Sequence, residues 1–541
     1  MHLSLSGYRG LSRIKDVARR EYILICAVIF GGALRAYQLP GQIPFGDEWH
    51  AIYTAARSGY MGILSCFGAS DHSIPIALYY RLAMDTVGLS EWVIRAPFFL
   101  AGTLTILILP LLIRNITGRF TANIFAWLLA LSPTLIFFSR TARPYAIIGL
   151  SAFAAAILVK RWWTEGLRHC AVLYVVLTTI TGYFLLVALP FVLGPLLFFL
   201  GSALLGPKEG RYNSIRRLTV LLIWTILPLA LLLALPLCND FQAIESKAGH
   251  SFIQPRAVLD AFRILFSMEG IGISILMGAL SFAGMIRLRR TGSTLLGYLI
   301  ALSGLQLISI LVVRPLGSDS PHILARYLLP VLPCLLLFSA AGIVGISTAT
   351  GLSRNKRLRP LLPVALCAAL ITGGPVMAVT YNPNNATGLI LLIHSLAGEK
   401  HQWMLKRMPE FYRRLSTYPP ASLIIVEAPF NWPGDHVPLY QRVHRQTILA
   451  GITDGLCGEA TSSLSYINHL RTVVDLSDLW ALLNRDVNFV VFHKRLQEEV
   501  RVRLPSYRRQ EISGCIAQYR AWFGSPVFED RDIIVFELSK D

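Results

Sequence analysis

The chain has 541 residues, of which 54% are hydrophobic and 15% are charged, and its mean hydropathy is +0.54. This composition excludes an ordinary soluble globular protein and indicates a polytopic membrane protein. The net charge of +19 requires no nucleic-acid partner, because the basic residues gather in the segments between apolar runs on one side of the membrane.

Apolar runs that are long enough to span a bilayer occur eleven times, near 22–39, 92–113, 121–138, 144–159, 169–186, 187–205, 218–237, 268–286, 293–313, 325–347 and 361–380. The runs 169–186 and 187–205 form one continuous apolar stretch, which we split near Gly182 and Tyr183. The first run follows a long basic leader, and the sequence after Arg35 is a poor cleavage site. We therefore interpret the run as a retained anchor and not as a signal peptide.

The distribution of basic residues predicts the orientation. With the N-terminus in the cytoplasm, the segments on that side hold 21 Lys and Arg, and the opposite-side loops up to residue 326 hold nine, as the positive-inside rule requires. This predicts a cytoplasmic segment 1–21, a transmembrane module 22–380 and a soluble tail 381–541 on the outer side. The first outer loop, 40–91, is long enough to have structure of its own.

The tail alternates strand-like and helix-like patterns. The segments "ASLIIVEAP", "DVNFVVFHK" and "RDIIVFEL" predict strands, and 399–416, 477–485 and 495–522 predict helices, so we expect a small α/β domain. The eight cysteines have no metal-ligand spacing. A disulfide between Cys457 and Cys515 and two buried thiols are both compatible with the sequence. The tail fits an acceptor-recognition domain or a structural cap.

Two adjacent carboxylates, Asp47 and Glu48, follow the first span in "IPFGDEWHAIY". The apolar residues after them recur at helical spacing and predict a short helix in the membrane interface: Trp49, Ile52, Tyr53, Ala56 and Tyr60. Asp47 could then serve as the N-cap of this helix. One cap is enough, so Glu48 needs another role.

Three further polar clusters fall on the same predicted face. The segments "ASDHSIPIALYYRLAMD", "FFSRTARPYAI" and "SDSPHILARYLLPVLP" contribute these candidate residues: Asp71, His72, Tyr79 and Arg81; Arg140, Arg143 and Tyr145; His322, Arg326 and Tyr327. A single arginine at the end of a span is commonly a snorkelling anchor. Acids, histidines, arginines and tyrosines from four separate loops instead indicate a reaction site on one face of the membrane.

The residue types suit one kind of chemistry. A carboxylate can act as the general base toward a hydroxyl or an amine, and arginines can bind a phosphate and stabilise its charge as it leaves. A sugar linked to a lipid phosphate satisfies both requirements, because its tail would lie among the helices and its phosphate at the interface.

The segments "GDEWHAIYTAARSG", "HSIPIALYYRLAMDTVGLSEWVIRAPFFLAG", "ALSPTLIFFSRTARPYAIIGL" and "HILARYLLPVLP" resemble successive motifs of GT-C glycosyltransferases. They are similar to the branch with protein O-mannosyltransferases and the lipid A aminoarabinose transferase, over about residues 22–345. The tail segments "VPLYQRVHRQTILAGIT" and "DVNFVVFHKRL" resemble the extracytoplasmic domain of bacterial members. The resemblance implies a bacterial inner-membrane enzyme with its tail in the periplasm. It would be an inverting transferase that moves a monosaccharide from a polyprenyl phosphate to an extracytoplasmic acceptor, either a glycolipid, an envelope glycan or a protein.

The resemblance also implies roles for the candidate residues. Asp47 matches the catalytic base, and Glu48 matches a second acid that orients the acceptor or assists a metal. The residues implied near the donor phosphate and sugar are Arg143, Tyr145, Arg326 and Tyr327, with Arg140 and His322. A divalent cation, Mg²⁺ or Mn²⁺, accompanies some relatives and would draw its ligands from Asp47, Glu48, Asp71 and His72.

The chain departs from its relatives at the second cluster. It has one proline in "HSIPIALYY" where many relatives have two, and Asp71–His72 stand where aminoarabinose transferases tend to carry a lysine. The identity of the sugar therefore stays open.

Two other functions compete with this interpretation. One is a transferase or ligase that acts on larger lipid-linked glycans. The other is a transporter or lipid flippase, but transporters place ionisable residues near the bilayer midplane and often have repeated halves. The sequence has neither feature.

Overall fold

A computed structural model describes residues 5–44, 46–67, 74–208, 210–249, 252–267, 271–350, 361–373, 405–428, 436–452, 467, 469–494 and 512–538. The chain divides into two compact units. The first, here called the membrane body, comprises Met1–Ala36, Leu64–Pro75 and Pro97–Met377. The second, here called the loop–tail unit, comprises Tyr37–Ile63, Ile76–Ala96 and Ala378–Asp541. Segments of the first outer loop thus group with the tail.

Helices form in all of the predicted apolar segments. In chain order up to residue 373 the helices are α1 (Leu5–Ala36), α2 (Gly46–Arg57), α3 (Tyr60–Ser65), α4 (Ile74–Thr86), α5 (Glu91–Thr117), α6 (Arg119–Leu131), α7 (Pro133–Ser139), α8 (Tyr145–Glu165), α9 (Arg168–Phe184), α10 (Leu189–Leu205), α11 (Arg211–Asn239), α12 (Phe241–Glu245), α13 (Pro255–Ser267), α14 (Ile271–Arg290), α15 (Thr294–Val313), α16 (Pro321–Tyr327), α17 (Leu332–Ala349) and α18 (Leu361–Gly373).

Eight helical segments in the described part of the chain are long and apolar enough to cross a membrane, and the bent pair α6–α7 makes a ninth. The predicted class, a polytopic helical membrane protein with a small C-terminal sheet domain, is confirmed. One of the eleven predicted spans is short: α9 has 17 residues, and a straight span needs about 20. Of the predicted span 361–380, the structure describes α18 up to Gly373, and the remainder lies outside the described residues. The split predicted near Gly182 and Tyr183 occurs at Leu185, where the backbone is extended (φ −158°).

Pro133 causes the bend between α6 and α7. Ser132 has an extended conformation (φ −64°, ψ 114°), as expected for a residue that precedes proline. The two helices meet at 59°, and Ser132 caps the second one by accepting a hydrogen bond from the Leu135 amide. The bend brings the polar motif at residues 140–145 to the end of this broken span.

Helices α14 and α17 touch backbone to backbone. A Cβ atom on Gly284 would overlap the Phe338 carbonyl, and one on Gly342 would overlap the Leu280 carbonyl. The hydroxyls of Ser281 and Ser339 are hydrogen-bonded at 2.7 Å across the same contact. Small residues permit this close approach, and we refer to the contact as the glycine seam.

The tail holds a six-stranded sheet in the order β3-β2-β1-β4-β6-β5. Its elements are α19 (Glu410–Leu415), β1 (Ile424–Ala428), α20 (His436–His444), β2 (Thr447–Ile452), β3 (Val473–Asp475), α21 (Leu479–Leu483), β4 (Phe489–His493), α22 (Ile512–Phe523), β5 (Phe528–Glu529) and β6 (Ile533–Glu537). Strand β1 pairs in parallel with β2 and β4, β2 pairs in parallel with β3, and β6 is antiparallel to β4 and β5.

The three predicted strands correspond to β1, β4 and β6, and β2, β3 and β5 were not predicted. Val426, Val490, Phe492, Tyr519 and Phe536 contribute to the buried core of the sheet. Cys515 of α22 forms a disulfide bond, and Cys457, its predicted partner, lies outside the described residues.

A buried polar cluster crosses the carboxyl ends of β1 and β4. The Glu427 carboxylate accepts hydrogen bonds from the Tyr412 hydroxyl at 2.9 and 3.1 Å and lies 2.6 Å from His493 Nε2. His444 stacks on the Tyr412 ring, with ring centres 5.5 Å apart. Glu427 is 1% exposed, and burial of its carboxylate without partners would be costly. These contacts supply the partners.

The tail should lose stability in mild acid because of His444. Burial lowers the pKa of His444 to about 4. Below about pH 6.5 His444 binds a proton in the unfolded chain but stays neutral in the folded chain. The free energy of unfolding should therefore fall by up to about 3 kcal/mol between pH 6.5 and pH 4. His444→Asn keeps an acceptor for the Gln446 amide and should flatten this dependence. Urea midpoints measured between pH 7.5 and 4.5 test this, and equal slopes for the two proteins would contradict it.

Candidate active site

Both carboxylates of the first loop lie in the first turn of α2, which begins at Gly46. The helix dipole favours negative charge there. Their environments differ, since Asp47 is partly exposed and Glu48 is fully buried. The predicted helix is present with Trp49 and Ile52 buried, although Tyr60 belongs to the next helix.

Glu48 forms a buried ion pair with Arg95 of α5. Arg95 Nε donates to one carboxylate oxygen at 3.2 Å, and Nη2 donates to the other at 2.9 Å. The same guanidinium donates to the carbonyls of Gln42 at 2.8 Å and Ile43 at 3.1 Å. Arg95 therefore ties the turn that precedes α2 to the first turn of that helix, directly beside Asp47.

This pairing bears on the predicted roles of Glu48. Both of its oxygens accept from one guanidinium, so the contact to Arg95 engages the whole carboxylate. The described residues contain no group of three or more His, Cys, Asp or Glu that could hold a metal ion, and the other predicted ligands, Asp71 and His72, lie outside them. The geometry of Glu48 suits a positioning role.

Aromatic contacts fix the rest of α2. Trp49 donates through Nε1 to the Pro44 carbonyl at 3.0 Å and stacks on Tyr53 with ring centres 5.5 Å apart. The Arg57 guanidinium lies over the Tyr53 ring at 5.1 Å. Trp49 thus ties the first turn of α2 to Pro44, and the contacts of Tyr53 with Trp49 and Arg57 stabilise the helix internally.

The second loop cluster packs against the start of α5. Tyr79 donates to the carbonyl of Val93 at 2.7 Å. Val93 lies in the first turn of α5, two residues after Glu91. Arg81 pairs with Asp85 at 2.9 Å on an exposed face. Tyr79 therefore contacts the backbone of α5 two residues before Arg95. Arg81 is paired with a carboxylate of α4, the helix to which it belongs.

Two predicted motifs of the membrane body meet at Tyr145. The guanidinium carbons of Arg143 and Arg326 each lie 6.0 Å from the centre of the Tyr145 ring, so these residues, distant in sequence, lie close together. Each contact is a cation–π interaction worth about 0.5–1 kcal/mol. Two guanidinium groups around one ring also create a positive potential that suits a phosphate.

The neighbouring Tyr327 is buried and borders a cavity. Its hydroxyl donates to the Leu316 carbonyl at 3.3 Å, and its own carbonyl accepts from Gln306 Nε2 at 3.0 Å. His322 lies at the other end of α16, with Nδ1 2.8 Å from the Ser320 hydroxyl. The cavity has a volume of about 200 Å³, and Lys247 and Tyr327 lie among mostly apolar lining residues: Leu185, Leu186, Val187, Pro190, Ile310, Val313 and Leu316.

Arg140 caps the end of α1, and Arg35 caps the end of α6. Arg140 Nη1 donates to the carbonyls of Arg35 at 3.0 Å and Leu34 at 3.4 Å, in the last turn of α1. Arg35 Nη2 donates to the Leu129 carbonyl at 3.0 Å, which lacks a helical donor because Pro133 stands four residues later. Arg140 was predicted near the donor, and the structure gives its guanidinium backbone contacts to α1.

Removal of Arg35 should destabilise the bend at Pro133. In Arg35→Met the Leu129 carbonyl loses its donor in an apolar interior, at a cost of about 1–3 kcal/mol. Pro133→Ala restores an N–H group for that carbonyl, so the double variant should lose less stability than the sum of the single variants. Arg119→Met, which removes an exposed arginine paired with Glu21, is the control. Thermal unfolding of the purified chain measures these losses, and strictly additive losses would contradict this explanation.

No family model and no curated protein matches this chain. Among solved structures it is similar to ArnT from Cupriavidus metallidurans bound to undecaprenyl phosphate, with 13% identity, a TM-score of 0.49 and coverage of 96% of this chain and 98% of that one. It is also similar to the oligosaccharyltransferase of Archaeoglobus fulgidus in complex with Zn and sulfate, with 15% identity, a TM-score of 0.43 and coverage of 88% and 68%.

Both proteins belong to the GT-C superfamily, whose motifs the sequence resembles. Identities of 13 and 15% with TM-scores below 0.5 transfer no activity. The functional assignment therefore rests on the residues of this chain.

Proposed function

We propose that this protein is an inverting membrane glycosyltransferase that moves a monosaccharide from a polyprenyl phosphate to an extracytoplasmic acceptor. The observation that carries the proposal is the placement of Arg143 and Arg326 around the Tyr145 ring. Tyr327, next to Arg326 in the chain, borders an apolar cavity. A phosphate joined to a long hydrocarbon chain matches a cationic site next to an apolar cavity.

In the proposed reaction, the acceptor hydroxyl or amine attacks the anomeric carbon of the donor sugar. Asp47 takes the proton of the attacking group, and the new bond forms on the face opposite the phosphate, so the configuration inverts. The bond between the anomeric carbon and the phosphate oxygen breaks, and its electron pair stays with the phosphate. Arg143 and Arg326 stabilise the charge that develops there, and a phosphate leaves readily as an anion without a general acid.

The other candidate residues take supporting roles. Tyr327 and His322 are proposed to border the sugar and phosphate, and Arg140 to hold α7 beside α1. Glu48 is proposed to position the base, because Arg95 holds both of its oxygens. The charge distribution supports a cytoplasmic N-terminus and a periplasmic tail in a bacterial inner membrane, with the transmembrane module at 22–380 and the tail at 381–541.

The proposal predicts a donor-binding defect when the arginines around Tyr145 are removed. Arg326→Met should raise the KM for a polyprenyl-phosphate monosaccharide about 10- to 100-fold, because a charge-assisted hydrogen bond is worth about 1.5–3 kcal/mol. Arg256→Met, at a side chain 88% exposed in the same unit, should change it less than twofold. Transfer by the purified protein from defined monosaccharide and pyrophosphate-linked donors measures this. Transfer from the pyrophosphate-linked glycans alone would favour the ligase alternative. Lipid movement without transfer would favour a flippase.

A further inference from the structure

The first turn of α5 contains a buried carboxylate that the proposed reaction does not use. Glu91 is 2% exposed, and its Oε1 accepts two hydrogen bonds from Thr472 of the tail. The Thr472 amide and the Thr472 hydroxyl each donate at 2.8 Å. Because a buried carboxylate is costly unless it is hydrogen-bonded or paired, this contact joins the first loop firmly to the tail within the loop–tail unit.

The tail segment Leu470–Val473, here called the strap, is held in place by hydrogen bonds from Arg485. Arg485 donates to the carbonyls of Leu470 at 3.1 Å and Arg471 at 3.3 Å, and also to that of Val473. The amide of Thr472 points to Glu91, and the carbonyls around it point to Arg485. Arg485 and Glu91 also attract each other electrostatically across the strap.

A second contact joins the same two regions. Gly88, in the turn before α5, has a left-handed backbone (φ +78°), and the His469 ring occupies the space that a Cβ atom would need. A side chain at this position would displace the histidine and strain the backbone. The tail therefore contacts both the turn that leads into α5 and the first turn of that helix.

The contacts continue from Glu91 to the proposed base. Arg95 lies one helical turn after Glu91 and holds both oxygens of Glu48, which neighbours Asp47 in the chain. We propose that the strap positions the carboxylate site: by holding Glu91 it fixes the start of α5, and Arg95 on that helix then fixes the first turn of α2. Thr472 and Glu91 are positioning residues in this scheme.

The inference rests on the proposed function and gives the tail a definite part in it. The tail would contribute to the rate of proton transfer and sugar transfer, which neither acceptor recognition alone nor a structural cap would do. Small displacements of a catalytic group can cost about 10²-fold in rate, so the loss of one bond in the strap should be measurable.

Three variants of the full-length protein test the inference. Thr472→Val keeps the shape of the side chain and removes the hydroxyl bond, and it should lower kcat about 10-fold with the donor KM within about twofold of wild type. Thr472→Ser restores the hydroxyl and should restore kcat. Ser477→Ala removes another hydroxyl-to-carboxylate bond of the tail, to Asp475 at 2.6 Å, and should leave kcat unchanged.

Amide hydrogen exchange of residues 46–57 provides a readout that needs no activity. Exchange there should be faster in Thr472→Val than in the wild type, Thr472→Ser or Ser477→Ala proteins, because α2 loses part of its support. If the wild type transfers no sugar, the proposed function fails while this structural readout still stands. Unchanged exchange in Thr472→Val, or an equal increase in Ser477→Ala, would overturn the inference.

Discussion

Asp47→Asn is expected to lower the kcat for sugar transfer by about 10²–10⁴-fold, the range that general-base catalysis contributes. Asparagine keeps the size of the side chain and an oxygen at the first turn of α2, but it cannot accept the proton of the attacking group. The donor KM should stay near the wild-type value, because the proposed phosphate site lies around Tyr145. Initial rates with saturating donor measure the effect.

Asp478→Asn is a matched control, because Asp478 is also a carboxylate at a helix N-terminus in the loop–tail unit, where it accepts from the Ala481 amide at 2.9 Å. Asparagine is an equally good N-cap, so kcat should change less than twofold. Undiminished transfer by Asp47→Asn would assign the base to another residue.

Arg95→Met is expected to destabilise the protein by about 3–5 kcal/mol, because it leaves the fully buried Glu48 carboxylate without its cation. The carbonyls of Gln42 and Ile43 lose a donor at the same time. The first turn of α2 should lose its order, and transfer should fall together with the thermal midpoint of the purified chain.

The control for this prediction is Arg81→Met, which removes an arginine from an exposed ion pair with Asp85. Exposed pairs contribute about 0–1 kcal/mol, so its thermal midpoint should stay close to the wild-type value. Similar decreases of the thermal midpoint in Arg95→Met and Arg81→Met would show that the buried Glu48–Arg95 pair contributes no more stability than an exposed pair.

Sequence patterns with a strong local signal predicted the fold well. The length of each apolar run located the helices, and the alternation in "DVNFVVFHK" located β4. Strands β3 and β5 were missed because they have three and two residues, which is too short for a period of two to be visible. The bend at Pro133 had a local signal, since a proline inside an apolar run breaks or kinks a helix.

The candidate site was predictable where motifs carry unusual residue types. Arg143, Tyr145 and Arg326 stood out in the sequence because they are polar residues at the ends of apolar spans, and all three were expected on one face of the membrane. Arg95 was missed because it lies within a long apolar run, where it was counted as part of a span. A charge in such a place needs a buried partner, and Glu48 is the partner that the structure provides.

The contact between Glu91 and Thr472 had no sequence signal at all. The two residues are 381 positions apart, and both are common residue types near a helix start and a strand start. Pairings of this kind depend on how the tail packs against the first loop, which local patterns do not encode.

The glycine seam between α14 and α17 restricts how a lipid-linked donor could enter the membrane body. A lipid enters sideways from the bilayer, through a gap that opens between two helices. At Gly284 and Gly342 there are no side chains that could rotate to open one, and the backbones are already in contact. Lateral entry along this seam would require the helices themselves to separate. The cavity is bordered instead by α10, α12 and α15, so a hydrocarbon chain bound in it would not have to part α14 from α17.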